Sequence, residues 1–236
     1  MENIYTEETT IIDERRKEAA GELMRNVYLW MTGGLALTGI VAWIVATTPM
    51  ILNIIFFGSQ IVFWGLLIAE LIFVIVLSAA IEKLSFGVAS MLYTLYCVLN
   101  GVTLSSIFLL YELSSVAEVF FVTAGAFGVL AFIGTVTKKD LSGHGVFLII
   151  ALAGLIIASI VGLILGRPES IWISVIGVII FAGLTVYDAQ KIRLMMLSQD
   201  TVNEGNMKLA LLGALSLYLD FINLLLRLLS LFGKRK

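Results

Sequence analysis

The sequence predicts an all-α integral membrane protein with seven transmembrane helices. Composition is the first reason. Of 236 residues, 60% are hydrophobic and only 14% are charged, with a mean hydropathy of +1.04. Soluble domains hold about 45–50% apolar and about 25% charged residues. The second reason is length. A spanning helix needs about 20 apolar residues, and seven runs meet that need: 27–47, 54–81, 86–110, 114–136, 145–166, 171–193 and 208–232. The third is the brevity of the breaks, which excludes a row of soluble core helices. A β-barrel is excluded because its strands alternate over about 10 residues instead of running apolar over twice that.

The elements follow in order. Residues 1–26 form a polar cytoplasmic tail with seven acids and four basic residues, expected to be helical from about Asp13 into the first span. No apolar stretch follows a short basic start, so the tail does not read as a cleaved signal peptide. The seven-helix domain then occupies 27–233. Its breaks are Thr48-Pro49, Glu82-Lys83, Tyr111-Glu112, Lys138-Lys139-Asp140, Gly166-Arg167-Pro168-Glu169 and Gln199-Asp200 through Gly205-Asn206. Both prolines fall in breaks, so no span carries a proline kink. Glycines inside the spans, such as Gly125, Gly128, Gly154, Gly177 and Gly183, allow helices to approach closely in lipid.

Several function classes drop out. Net charge is −2 with no basic tract, which argues against nucleic acid as a partner. Cys97 is the lone cysteine, so no intramolecular disulfide exists. His144 is the lone histidine, which excludes metal sites built on two or three imidazoles. It lies in a polar turn without a nucleophile motif nearby, and no phosphate-binding loop occurs. The sequence therefore reads as no enzyme and calls for no cofactor.

Lysine and arginine counts set the orientation. The tail and the loops on its side carry ten, including Lys83, Lys138, Lys139, Lys191, Arg193 and Lys208; the other side carries Arg167. The amino terminus is thus expected in the cytoplasm, in a bacterial inner or plasma membrane. Seven spans place the carboxyl terminus outside, yet the chain ends Lys234-Arg235-Lys236. Either the last segment crosses fully despite its tail, as 25 apolar-rich residues allow, or it turns back as a re-entrant hairpin.

Ionisable residues at membrane depth carry the functional signal. A central aspartate costs about 2.5–3.5 kcal/mol on insertion scales and usually marks a pathway or relay. Asp220 lies 12 residues into the last span, about 18 Å at helical rise. Asp188 lies nearer the cytoplasmic end of the sixth span, and Glu70 at a depth like that of Asp220. Arg227 follows Asp220 by seven residues on the same face and reads as a snorkelling or structural cation. Glu118 reads as interfacial. The bland alternatives are a solvated Asp188 beside Lys191 or Arg193, and an Asp220–Arg227 ion pair. The functional alternative is a cation site. Carboxylates suit hard cations such as calcium. Desolvation and a like-charged neighbour both disfavour ionisation, so two facing acids can hold one proton between them. Such a pair would lock two helices, and ionising it would separate them.

The stretch Phe181-Ala182-Gly183-Leu184-Thr185-Val186-Tyr187-Asp188-Ala189-Gln190-Lys191-Ile192 resembles the signature of the Bax inhibitor family. Ala214-Leu215-Ser216-Leu217-Tyr218-Leu219-Asp220-Phe221-Ile222-Asn223-Leu224 resembles that family's last helix. Weaker likeness lies at Asn100–Ser105 and Lys138–Ser142, and the whole covers about 25–233. The resemblance implies a seven-helix fold whose last helix is central and surrounded by the other six. It implies a pH-sensitive calcium leak, with Asp188 and Asp220 as the sensor pair and Glu70 as the acid of the second helix on the cation path. A basic latch found in some members falls here at Ile81, with Glu82 and Lys83 adjoining.

Two functions compete. In the first, calcium moves down its gradient and protons on Asp188 and Asp220 set the open fraction; proton-coupled exchange is a variant of it. Its partners are membrane lipid, calcium ions and protons. In the second, the chain regulates a membrane complex such as a membrane-bound AAA protease, an interaction known for some bacterial members of the family, and the tail 1–26 makes the contact.

Overall fold

A computed structural model describes residues 2–58, 60–165 and 170–236. The break Gly166-Arg167-Pro168-Glu169, and with it Arg167 of the charge count, lies outside the described residues. The elements are α1 (Glu2–Ala46), α2 (Pro49–Leu52), a π-helical turn (Asn53–Gly58), α3 (Gln60–Ala80), α4 (Phe86–Leu104), α5 (Ser106–Leu110), α6 (Leu113–Val136), α7 (Ser142–Ile164), α8 (Ile171–Leu197) and α9 (Glu204–Phe232). Among the described residues six helices are long and apolar enough to cross a membrane, and Trp64–Ala80 is a shorter apolar helix.

Local chemistry sets the starts of two helices. Ser85 caps α4 by accepting from the Val88 amide at 3.4 Å. Asp140 accepts from the Ser142 amide at 2.9 Å, so α7 starts three residues before the expected 145. One expectation needs correction. The run 54–81 is not one helix. Pro49, favoured in a first helical turn, opens the short α2. A π turn from Asn53 to Gly58 then separates it from α3. The run 86–110 is one candidate span, as expected, with a single turn residue at Ser105, whose hydroxyl donates back to the Val102 carbonyl at 2.6 Å. Such back-bonding competes with the helix ladder and bends it. The tail is more helical than expected, since α1 starts at Glu2 instead of near Asp13. The last segment is one unbroken helix, α9, which removes the re-entrant hairpin.

The chain divides into two compact units. One comprises residues 1–109 and 192–215. Here α1 lies along α4. Tyr93 donates its hydroxyl to the Trp30 carbonyl at 2.9 Å, and Thr38 donates to the Cys97 carbonyl at 2.9 Å. A Cβ on Gly101 would meet the Thr38 carbonyl oxygen at 2.7 Å. The first turn of α9 secures the turn after α3. Glu204 accepts from the Phe86 amide at 2.8 Å, and Lys208 donates to the carbonyls of Glu82 and Leu84 at 3.1 and 2.9 Å.

The other unit comprises residues 110–191 and 216–236. Small residues bring its helices together, as expected where lipid offers no hydrophobic drive between helices. Gly134 of α6 lies against the Val186 carbonyl and Ala189 of α8; Gly145 and Leu148 of α7 pack on Tyr187 and Gly183. On α9, Phe221 meets Phe120 and Phe127 of α6 edge-on at 5.6 and 5.5 Å. The carboxyl end returns beside α6. The Glu112 amide donates to the Lys234 carbonyl at 2.9 Å, and the Lys236 amide donates to the Leu110 carbonyl at 3.0 Å.

Burial differs among the helices. In α9, 67% of the apolar window is buried, against 11% in α7. Phe121, Phe132 and Trp172 are all largely exposed, and outward apolar surface on this scale needs a lipid solvent.

The Gly134 contact gives the first prediction. Gly134→Leu forces a side chain into the Val186 carbonyl and the Ala189 methyl. Overpacking of this kind costs about 1–3 kcal/mol. The thermal midpoint of the detergent-solubilised protein should fall by several degrees, whereas Gly125→Leu, with open space at its Cβ position, should leave it nearly unchanged.

Candidate functional site

Helices α8 and α9 run antiparallel in the second unit, and their contacts fix the register. Ser174 and Ser230 share a hydrogen bond of 2.8 Å. One turn on, a Cβ at Gly177 would meet Arg227 Cδ at 2.8 Å. Carried along both helices, this register sets Leu184 opposite Asp220 and Asp188 opposite Ser216. The two aspartates are thus offset by one turn, about 5–6 Å along the axis. Both line one cavity of about 390 Å³, walled by α7, α8 and α9.

The two carboxylates have different surroundings. Asp220 is 6% exposed, and its Oδ2 has no hydrogen-bond partner among the described residues. Asp188 is half-buried and near enough for the two charges to interact. Lys191 acts electrostatically on Asp188 and also lies over the Tyr187 ring at 6.0 Å. Among the described residues no ion pair within 4 Å joins Asp188 to Lys191. Arg227 lines the same cavity, with its stem laid across Gly177.

Glu70 has a separate environment. It lies on α3 in the first unit, half-buried, where it accepts hydrogen bonds from the Thr103 hydroxyl and from Asn100 Nδ2 at 3.4 Å. It is not among the residues lining the aspartate cavity. Glu118 is exposed. Of the latch candidates, Ile81 is buried and Lys83 exposed.

Sequence reasoning missed Gln190. Two residues beyond Asp188, it points away from the cavity and is 5% exposed. Its amide clamps the loop between α6 and α7. Nε2 donates to the Lys139 carbonyl at 2.8 Å and to the Thr137 carbonyl at 3.4 Å; Oε1 accepts from the Leu141 amide at 3.0 Å. The available signal was a long amide in an apolar span, which must find partners when buried. In the same loop, Ser142 holds the Asp140 carboxyl below its usual range, through its side chain first and its amide second. Asp188 is therefore carried on a helix segment tied to α6 by Gly134, to α7 by Tyr187, and to the intervening loop by Gln190.

Comparison with known proteins gives concordant matches. The family model described as "Inhibitor of apoptosis-promoting Bax1" matches residues 21–236. The Escherichia coli K12 "Inner membrane protein YbhL" is 49% identical over 215 residues, covering 90% of this chain and 92% of that protein. A Deinococcus radiodurans protein is 40% identical over 215 residues, 90% of each chain. The Rickettsia prowazekii protein RP147 is 34% identical over 238 residues, 98% of each chain.

Removing the clamp should loosen the loop. Gln190→Ala leaves the Lys139 carbonyl and the Leu141 amide, which are not fully buried, to water, so the loss is that of an ordinary hydrogen bond, about 0.5–1.5 kcal/mol each. Hydrogen exchange at the Leu141 amide should accelerate severalfold; exchange at the wild-type rate would show that the loop is held by something else.

Proposed function

The chain belongs to the Bax inhibitor family, and on that premise we propose that it is a pH-sensitive calcium leak channel of a bacterial membrane, gated by protons on Asp188 and Asp220. The observation that carries this reading is the placement of both carboxylates on one cavity, with an oxygen of Asp220 buried and unpartnered. In this reading Trp64–Ala80 completes seven spans, α9 is the central helix, the amino terminus is cytoplasmic, and Glu70 lies on the cation path. The buried fraction of α9 supports its central place.

The mechanism follows from electrostatics. With one proton shared, the pair bears a single negative charge in a poorly solvated place, and α8 and α9 stay packed. When that proton leaves, two like charges about one helical turn apart repel, at an energy that low polarity amplifies. The helices part, and the carboxylate oxygens become ligands for calcium, the transported ion. The O–H bond of the shared proton is the bond that breaks, its proton passing to water, and no cofactor takes part.

The sign is definite: deprotonation opens, so flux rises with pH. Purified protein in dye-loaded liposomes should pass calcium increasingly across about pH 5–8, where a shared-proton pair can titrate. Asp220→Asn should flatten that dependence by abolishing the pair. Glu70→Gln should reduce flux at every pH. Absence of flux from folded wild-type protein would overturn the reading.

A second reading is favoured by the unbroken course of α1 from Glu2, with residues 13–18 exposed. In it the tail 1–26 docks on a membrane-bound AAA protease and the chain regulates that complex. Deleting residues 2–12 would then abolish regulation while sparing any flux.

A further inference from the structure

The short connection between α6 and α7 carries more positive charge, held more firmly, than a turn between helices needs. Residues 137–141 join the two helices, and each helix is long and apolar enough to cross a membrane. Where both cross, a link this short lies at the membrane surface, at the level of the lipid headgroups. Its backbone is fixed at several points. Gln190 takes the carbonyls of Thr137 and Lys139 and the amide of Leu141. The Leu141 carbonyl in turn accepts from the His144 and Gly145 amides at 2.9 and 3.0 Å.

On this frame Lys138 and Lys139 are consecutive and exposed. Lys191, also exposed, directly follows Gln190. The Gln190 amide reaches the Lys139 carbonyl at 2.8 Å, so one amide side chain bridges the backbones on which Lys139 and Lys191 stand. The Lys191 ammonium lies over the Tyr187 ring at 6.0 Å, and that ring covers Gly145 at the start of α7. The three ammonium groups thus gather around one turn. Among the described residues none of them makes an ion pair or a hydrogen bond. The acids nearby are turned elsewhere. Asp140 accepts from the Ser142 amide at 2.9 Å, and Asp188, on which Lys191 acts at longer range, lines the cavity. Other cations are already engaged: Arg25 pairs with Glu22 at 3.9 Å, and Lys208 donates to the carbonyls of Glu82 and Leu84.

We propose that Lys138, Lys139 and Lys191, on the frame fixed by Gln190, bind the phosphate of an anionic phospholipid headgroup. Like charges held together repel, and an anion shared among them relieves that repulsion. Phosphate oxygens accept charge-assisted hydrogen bonds from ammonium groups. Position selects a lipid over a soluble phosphate, because the lysines stand where two apolar helices end and a membrane presents its headgroups. The clamp adds to affinity, since a frame already ordered gives up little freedom on binding. The inference does not rest on calcium passing through the protein.

The test titrates the full chain, in an uncharged detergent, with dioctanoylphosphatidylglycerol, dioctanoylphosphatidylcholine and glycerol 3-phosphate. Native mass spectrometry counts bound lipid, and the thermal unfolding midpoint reports affinity. Phosphatidylglycerol should bind saturably, at least about tenfold more tightly than phosphatidylcholine, which has the same chains but no net charge. Lys138→Ala combined with Lys139→Ala should weaken that binding at least about tenfold. Lys83→Ala combined with Lys234→Ala removes equal charge at other helix ends and should change it less than about twofold. Gln190→Ala keeps every charge but loosens the frame, and should weaken binding severalfold. Equal affinity for the two lipids would overturn the proposal, as would equal losses in the two double variants or full affinity in Gln190→Ala. Glycerol 3-phosphate binding as tightly as phosphatidylglycerol would also overturn it, by making the occupant a soluble phosphate.

Discussion

The register between α8 and α9 governs the second unit. Helices that meet through Ser174, Gly177, Ser230 and the stem of Arg227 have little freedom to slide, because close contact through small residues tolerates few alternatives. That register sets the two aspartates one turn apart and turns both toward α7. A slip of one turn would place Asp220 opposite Asp188 itself. The contacts of α6 act on the same pair of helices from behind, through Gly134 on α8 and through Phe120 and Phe127 on Phe221 of α9. Packing therefore decides the spacing of the charges, and the charges have no ion pair among the described residues to set it for them.

An acid with an unsatisfied oxygen inside an apolar bundle is a poor stabiliser. Replacing it with a leucine would favour folding, since a buried polar group without a partner carries a penalty that a hydrocarbon does not. The surrounding side chains do not relieve that penalty. Glu70 offers the contrast, since Thr103 and Asn100 both donate to it. The two sites differ in what they leave undone.

Much of this was legible in the sequence. The apolar runs placed most helices closely, because runs of such length have few other solutions in lipid. The places of Asp188, Asp220 and Arg227 on long apolar helices followed from counting, and the family from the residues around the two aspartates. The π turn at 53–58 was not legible, since hydropathy averages over 54–81 and cannot register a change of helical pitch. Nor was the turn residue at Ser105, which depends on one hydroxyl choosing a carbonyl three residues back. Helicity from Glu2 to Asp13 was missed because mixed charge was read as an irregular tail. The hydrogen bonds from Thr103 and Asn100 to Glu70 were hidden too, since depth along a helix axis says nothing about direction around it.

The clamp made by Gln190 acts on the backbone of its loop: it takes the carbonyls of Thr137 and Lys139 and the amide of Leu141, and ignores their side chains. Natural drift should respect that distinction. As far as the clamp is concerned, residues at 137, 139 and 141 are free to change identity over time, while the count of residues between α6 and α7 is held. An insertion of one residue there would move the carbonyls out of reach and release the helix that carries Asp188. In this segment, then, the inherited quantity is a length, and side-chain variation in it is a poor guide to how strongly it is constrained.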